Sequence, residues 1–161
     1  MNIFYLDRDP VKAARVMYNR HVVKMILESA QMLCTAHHYF AEQYDYKTFV
    51  PYKKAHLNHP STRWARGNRA QYLWLYKHMM ALGDEYTKRY GKKHVSITKC
   101  QPSLQFAPNG IVDGFFKDPP QCMPDQYKCG DTVEAYWNYY EGEKFAVANA
   151  NETKITRDAH R

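Results

Sequence analysis

The sequence predicts a mainly α, compact single-domain fold with three principal helices joined by long irregular loops. Three observations predict it. Apolar residues recur at helical spacing in two long stretches, no stretch alternates apolar and polar residues as a half-buried strand would, and helix start and stop residues flank the periodic segments. At 161 residues the chain suits one core and is short for two.

In order along the chain, residues 2–6, "NIFYL", are apolar enough for a short strand or a buried N-terminal arm. Asp9 followed by Pro10 reads as an N-cap with proline in the first turn. From Val11 to about His38 the chain is helix-compatible, with a break expected near "YNRH", and Val22, Met25, Ile26, Ser29, Met32 and Leu33 mark its buried face. The stretch "YFAEQYDYKTFVPYKKAHLNHP" loses this period and is expected to be a loop. Ser61 or Asn58 can cap the next helix, expected from about Thr62 to Tyr90, with Trp64, Tyr72, Leu75, Met79, Leu82 and Tyr86 as its apolar stripe and Gly91 as its stop. Residues 99–130 hold five prolines and three glycines and should be irregular. Asp131 or Thr132 can cap a last helix, "TVEAYWNYYEGEKFAV". The domain is expected to span 1–148, with 149–161 a polar tail that frays.

Apolar residues make up 45% of the chain and aromatics 15%, so it can bury enough surface to fold. The net charge of +7 is spread along the sequence and favours polyanionic partners, nucleic acid or phosphorylated ligands. No run of eighteen apolar residues offers a membrane span, and Asp7, Arg8 and Asp9 interrupt any secretory signal, so the cytoplasm is the expected location. Cys34, Cys100, Cys122 and Cys129 then read as reduced thiols without zinc-ribbon spacing. A mixed site of Cys100, Cys122 or Cys129 with a histidine is the metal arrangement left open, and HxxH at His56 and His59 is weak support for another.

Two constellations carry chemistry. In "HVVKMILESAQML" the spacing puts His21, Lys24 and Glu28 on one stripe of a helix. They read either as a solvated side with one Lys–Glu pair, worth a few tenths of a kcal/mol, or as a proton-handling site. In "HLNHPSTRWARGNR", Asn58, His59, Arg63, Arg66 and Arg69 surround a helix start, where guanidinium groups could fork onto phosphates. A third cluster, "AYWNYYEGEK", could offer stacking platforms for bases beside Lys144, or simply be core. No P-loop, GxSxG elbow or HExxH box occurs.

His21 and Glu28 seven apart in a helix, "NHPSTRW" at 58–64, "YLWLYKHMMALGDEYTKRYGKKH" at 72–94 and, more loosely, "YWNYYEGEK" at 136–144 together resemble the pyrimidine-dimer DNA glycosylases, small helical proteins of phages and some bacteria. The chain is also similar to phage proteins that share "HVVKMILESAQML" and "NHPSTRW", a likeness that brings no function with it. The glycosylase resemblance implies a cytoplasmic base-excision enzyme acting on duplex DNA that also nicks the strand as an AP lyase, without metal or organic cofactor. It implies an N-terminal α-amine as nucleophile, forming a Schiff base at the sugar C1′, and a helix-borne glutamate, here Glu28. An α-amine, with a reference pKa of about 7.7–8.0, is partly neutral at pH 7, whereas a lysine near about 10.4 is not.

The family's arginines around the glutamate correspond here to Leu27 and Gln31, and an arginine usual in the first residues to Ile3. Asn2 is bulky for removal of the initiator, so the amine would be that of Met1. Lys24 could replace the missing charge, or serve as the amine itself if buried. The catalytic set expected is therefore Glu28, Met1, Lys24 and His21, with Asn58, His59, Arg63, Arg66 and Arg69 on DNA. The alternatives are a phage enzyme acting on nucleotides or hypermodified bases, and a non-catalytic basic binding or inhibitory protein.

Overall fold

A computed structural model describes residues 1–148 and 152–160. The described residues form seven α-helices and two short 3-10 turns, with no strand, as the apolar periodicity requires.

The N-terminal segment is a buried arm: Ile3, Phe4, Tyr5 and Leu6 are each at most 4% exposed. An arm without a sheet must place its carbonyls elsewhere. The indole of Trp137 donates to the Leu6 carbonyl (2.8 Å) and that of Trp74 to the Arg8 carbonyl (2.8 Å). Asp9 then caps α1 (Pro10–Arg15), accepting from the amides of Val11 and Lys12, with Pro10 in the first turn.

The chain breaks at Val16–Tyr18 before α2 (Asn19–Gln43). Tyr18 is extended, and its amide donates to the Tyr140 hydroxyl rather than to a helical carbonyl. Arg89 takes the carbonyls left behind, donating to Met17 (2.7 Å) and Arg15 (3.1 Å). The expected buried face of α2 is buried at all six positions. The helix runs five residues beyond His38, so the connecting loop is 44–59 rather than 39–60.

The helix expected over 62–90 is two helices, α3 (Pro60–Ala65) and α4 (Arg69–Tyr90). Their caps are His59 and Asn68 in place of Ser61 or Asn58. At the break, Asn68 is fully extended and its side chain accepts from the Gln71 amide, while the Gln71 side chain donates to the Trp64 carbonyl (2.7 Å). A Cβ on Gly67 would lie 2.7 Å from that Gln71 nitrogen and 3.2 Å from the same carbonyl, so a larger residue there would push the Gln71 side chain off its bond. Gly91 ends α4 in the left-handed region.

The stretch 99–130 is not irregular throughout: α5 (Val95–Leu104) occupies its start, capped by His94 as α3 is by His59. Pro102 is tolerated because it falls in the last turn, where only one helical bond is forfeited. Asp131 caps α6 (Thr132–Gly142), whose buried face carries Tyr136, Trp137 and Tyr140. A 3-10 turn at Lys144–Val147 and the short α7 (Arg157–His160) follow. Residues 149–151 and 161 of the tail expected to fray lie outside the described residues. Within the described part, the Ile155 amide donates to the Tyr18 hydroxyl and the His160 ring meets Asp7 (2.9 Å).

The core lies between α2 and α4, with the arm and α6 closing one side of it. Burying each of the large side chains there contributes about 1.5–3 kcal/mol. No described helix is long and apolar enough to cross a membrane.

Candidate active site

The arm turns its first residue onto the middle of α2. The α-amine of Met1 lies 3.3 Å from Glu28 Oε1, in a carboxylate side chain only 12% exposed. Glu28 Oε2 is buried without a hydrogen-bond partner, and Lys24 Nζ stands 3.9 Å from it. One face of this carboxylate is therefore held by the amine, and the other keeps free lone pairs. The Met1 side chain is 1% exposed, so its amine is fixed, whereas Lys24 is 68% exposed and solvated.

Two residues of the arm make that geometry. The Asn2 side chain accepts from the amides of Ile3 (2.6 Å) and Phe4 (3.0 Å) and donates to the Cys122 carbonyl (2.9 Å). Phe4 has φ +54°, a left-handed conformation that costs a bulky residue on the order of 1–3 kcal/mol. Its ring offsets that cost by stacking on His21 at 4.3 Å and meeting the edge of Tyr140 at 5.6 Å.

His21 is 5% exposed, and its Nδ1 lies 2.7 Å from the Tyr140 hydroxyl. That hydroxyl accepts from the Tyr18 amide, and when it donates its own proton to His21 Nδ1 the imidazole proton lies on Nε2. Burial first, then the charges of Lys144, Lys24 and Arg20, lower the His21 pKa to about 4. The ring is neutral at pH 7 and offers a donor without a charge. Met1, Glu28, Lys24, His21, Tyr139 and Lys144 line one cavity of about 150 Å³. Lys144 Nζ sits 4.8 Å above the Tyr139 ring.

The stripe read from the helix period is thus brought to the amine. The basic segment is not assembled as its spacing implies. Arg63, Arg66 and Arg69 do not follow one helix, because the chain breaks after Arg66 and Arg69 opens α4. Arg66 is half-buried, donating to the Leu57 carbonyl (2.8 Å) with its guanidinium 4.4 Å over the Tyr39 ring. Arg69 pairs with Asp113 at 2.9 Å. Arg63 and Asn58 are exposed, and no ion pair engages Arg63 among the described residues. His59 is half-buried at the mouth of α3. Burial and then the Met1 amine lower its pKa while Glu28 opposes them, which places it within electrostatic reach of both.

Asn2, Phe4, Tyr140 and Lys144 complete the site, the last two from the cluster read separately as a stacking platform or core. Tyr140 and Lys144 lie more than a hundred residues from His21 in sequence, and only the fold joins them. Among the described residues no group of three His, Cys, Asp or Glu could hold a metal ion.

The sequence model of a family described as pyrimidine dimer DNA glycosylase matches residues 1–98, the arm and α1–α4 included. Neither a curated protein nor a solved structure matches the chain.

Proposed function

We propose that this chain, which belongs to the pyrimidine dimer DNA glycosylase family, excises a damaged pyrimidine from duplex DNA through the α-amine of Met1 and then nicks the strand. The observation that carries the reading is the 3.3 Å pairing of that amine with the buried Glu28 carboxylate.

Glu28 accepts the ammonium proton, and the freed lone pair forms a bond to the sugar C1′. The C1′–N glycosidic bond breaks, and the base leaves with the electron pair and takes up the proton that the newly bonded amine sheds. The C1′–O4′ bond then opens, O4′ receives the proton that Glu28 holds, and an iminium joins Met1 to the sugar. Loss of a proton from C2′ expels the 3′ phosphate oxygen, and water releases the aldehyde from the amine. Both halves are general acid–base steps, for which one carboxylate within reach of amine and sugar suffices.

The neutral His21 donates from Nε2 and orients the sugar, and Lys24 steadies the carboxylate beside a backbone phosphate. Lys24 is the weaker candidate because its side chain is 68% exposed and stands 3.9 Å from Glu28, farther than the Met1 amine. Arg63, with Asn58 and His59, meets DNA phosphates at the open end of α3. Arg66 and Arg69 could join only by giving up Leu57 and Asp113, and they chiefly shape this edge.

Incubation with ultraviolet-irradiated supercoiled plasmid is the test. Conversion to nicked circles, absent with undamaged plasmid, is expected. No nicking of irradiated DNA at protein excess, or equal nicking of both, contradicts the reading.

A further inference from the structure

Phe115 is 93% exposed, yet the loop that carries it is hydrogen-bonded to the α3–α4 corner on both sides of it. The Arg69 amide donates to the Val112 carbonyl (2.8 Å), the Asn68 side chain to the Phe115 carbonyl (3.0 Å), and the Trp64 indole to the Lys117 carbonyl (2.8 Å). The Lys117 amide in turn donates to Gln71 Oε1 (3.2 Å). A Cβ on Gly114 would sit 3.2 Å from the Asn68 side chain, so the loop lies tight against the α3–α4 corner. The neighbouring Phe116 packs on Trp64 (5.7 Å) and Trp74 (6.2 Å) and anchors the segment, while Phe115 is left outside.

Such an arrangement gives the isolated protein no return, since an exposed phenylalanine forgoes its burial. It does prepare a contact: a side chain on a fixed loop loses little freedom on binding. Its surroundings select the partner. Asp113 is paired with Arg69, and Asp118 keeps its charge but accepts from the Tyr5 hydroxyl (2.9 Å) on the arm, whereas Arg63 and Lys117 have no ion-pair partner among the described residues. An exposed ring two residues from Lys117, on a loop held by Trp64 beside Arg63, fits, on a chain of charge +7, a polyanion with stacked bases. The same loop runs on beside the arm that carries the amine, tied to it at Asp118–Tyr5 and Cys122–Asn2.

We propose that Phe115 is a wedge that enters the base stack of duplex DNA beside the damaged site. This rests on the glycosylase reading but lies outside residues 1–98, to which the family match is confined.

The experiment uses a duplex with a stable tetrahydrofuran abasic site and 2-aminopurine placed in turn at the flanking steps. The wild-type protein should raise 2-aminopurine emission at one step. Phe115→Ala should abolish the rise and weaken binding about tenfold. Phe49→Ala, which removes another phenylalanine, 87% exposed and far along the chain, should change neither. An equal rise in wild type and Phe115→Ala, or a rise at no step despite tight binding, overturns the wedge and leaves the amine chemistry standing. Failure to bind the duplex at all, with no borohydride trapping on an unmodified abasic duplex, overturns both.

Discussion

Glu28→Gln is expected to slow cleavage of irradiated duplex by about 10²–10⁴-fold, the range for losing a positioned acid–base group, while duplex affinity is unchanged. In the proposed mechanism the carboxylate has two tasks that the amide cannot perform: taking the proton from the Met1 ammonium, 3.3 Å away, and returning a proton to the opening sugar. Its buried Oε2, without a hydrogen-bond partner in the free protein, is the atom left available for the second. Single-turnover cleavage and a parallel gel-shift titration separate the two effects. Equal loss of binding and cleavage would make Glu28 a structural residue, and unchanged cleavage would remove it from the chemistry.

A steep loss of stability in mild acid is the second large effect. Burial lowers the pKa of His21, His37 and His78 each to about 4, from 6.5 for the exposed ring. Their folded values lie below the unfolded one, so between pH 6.5 and 4 the unfolded chain binds protons that the folded chain refuses. Stability is therefore fully present above the unfolded pKa and falls as pH drops through that window. Each ring contributes up to about 3 kcal/mol, and the three together rival the 5–15 kcal/mol that holds a typical domain. His78 has no way to relieve the strain: its Nδ1 donates to the Pro10 carbonyl (2.9 Å), and its Nε2 is buried without a partner. The urea midpoint should fall continuously from pH 7 to 5, and a flat midpoint over that range would contradict the account.

What the sequence made legible follows from the range of the forces involved. Helix period is local, so the buried face of α2 and the sharing of one stripe by His21, Lys24 and Glu28 could be read directly. Caps with common residue types, Asp9 and Asp131, were equally plain, whereas His59 and His94 cap through Nδ1 and escape a search for hydroxyls and carboxylates. The first helix break was expected near "YNRH", but what holds it, and the second break altogether, depend on distant residues. Tyr18 leaves the helix for the hydroxyl of Tyr140, 122 residues away, and Gly67–Asn68 turns against a loop whose anchor is Phe116. That second break also takes Arg63, Arg66 and Arg69 off a single helix. At the site itself, Met1 was set beside Glu28 by the family resemblance alone; helix period could not bring the two together, since Met1 reaches Glu28 along an arm bent at Phe4, which is seated on His21.

The central claim is that the Met1 amine is the nucleophile. Borohydride reduction with irradiated and with undamaged duplex, followed by mass mapping of cross-linked peptides, tests it most directly. The account predicts a damage-dependent adduct on the α-amine of Met1, lost when the chain is extended by a few residues at that end. An adduct on Lys24 or Lys144 instead, or none under conditions where an established glycosylase traps, would contradict it.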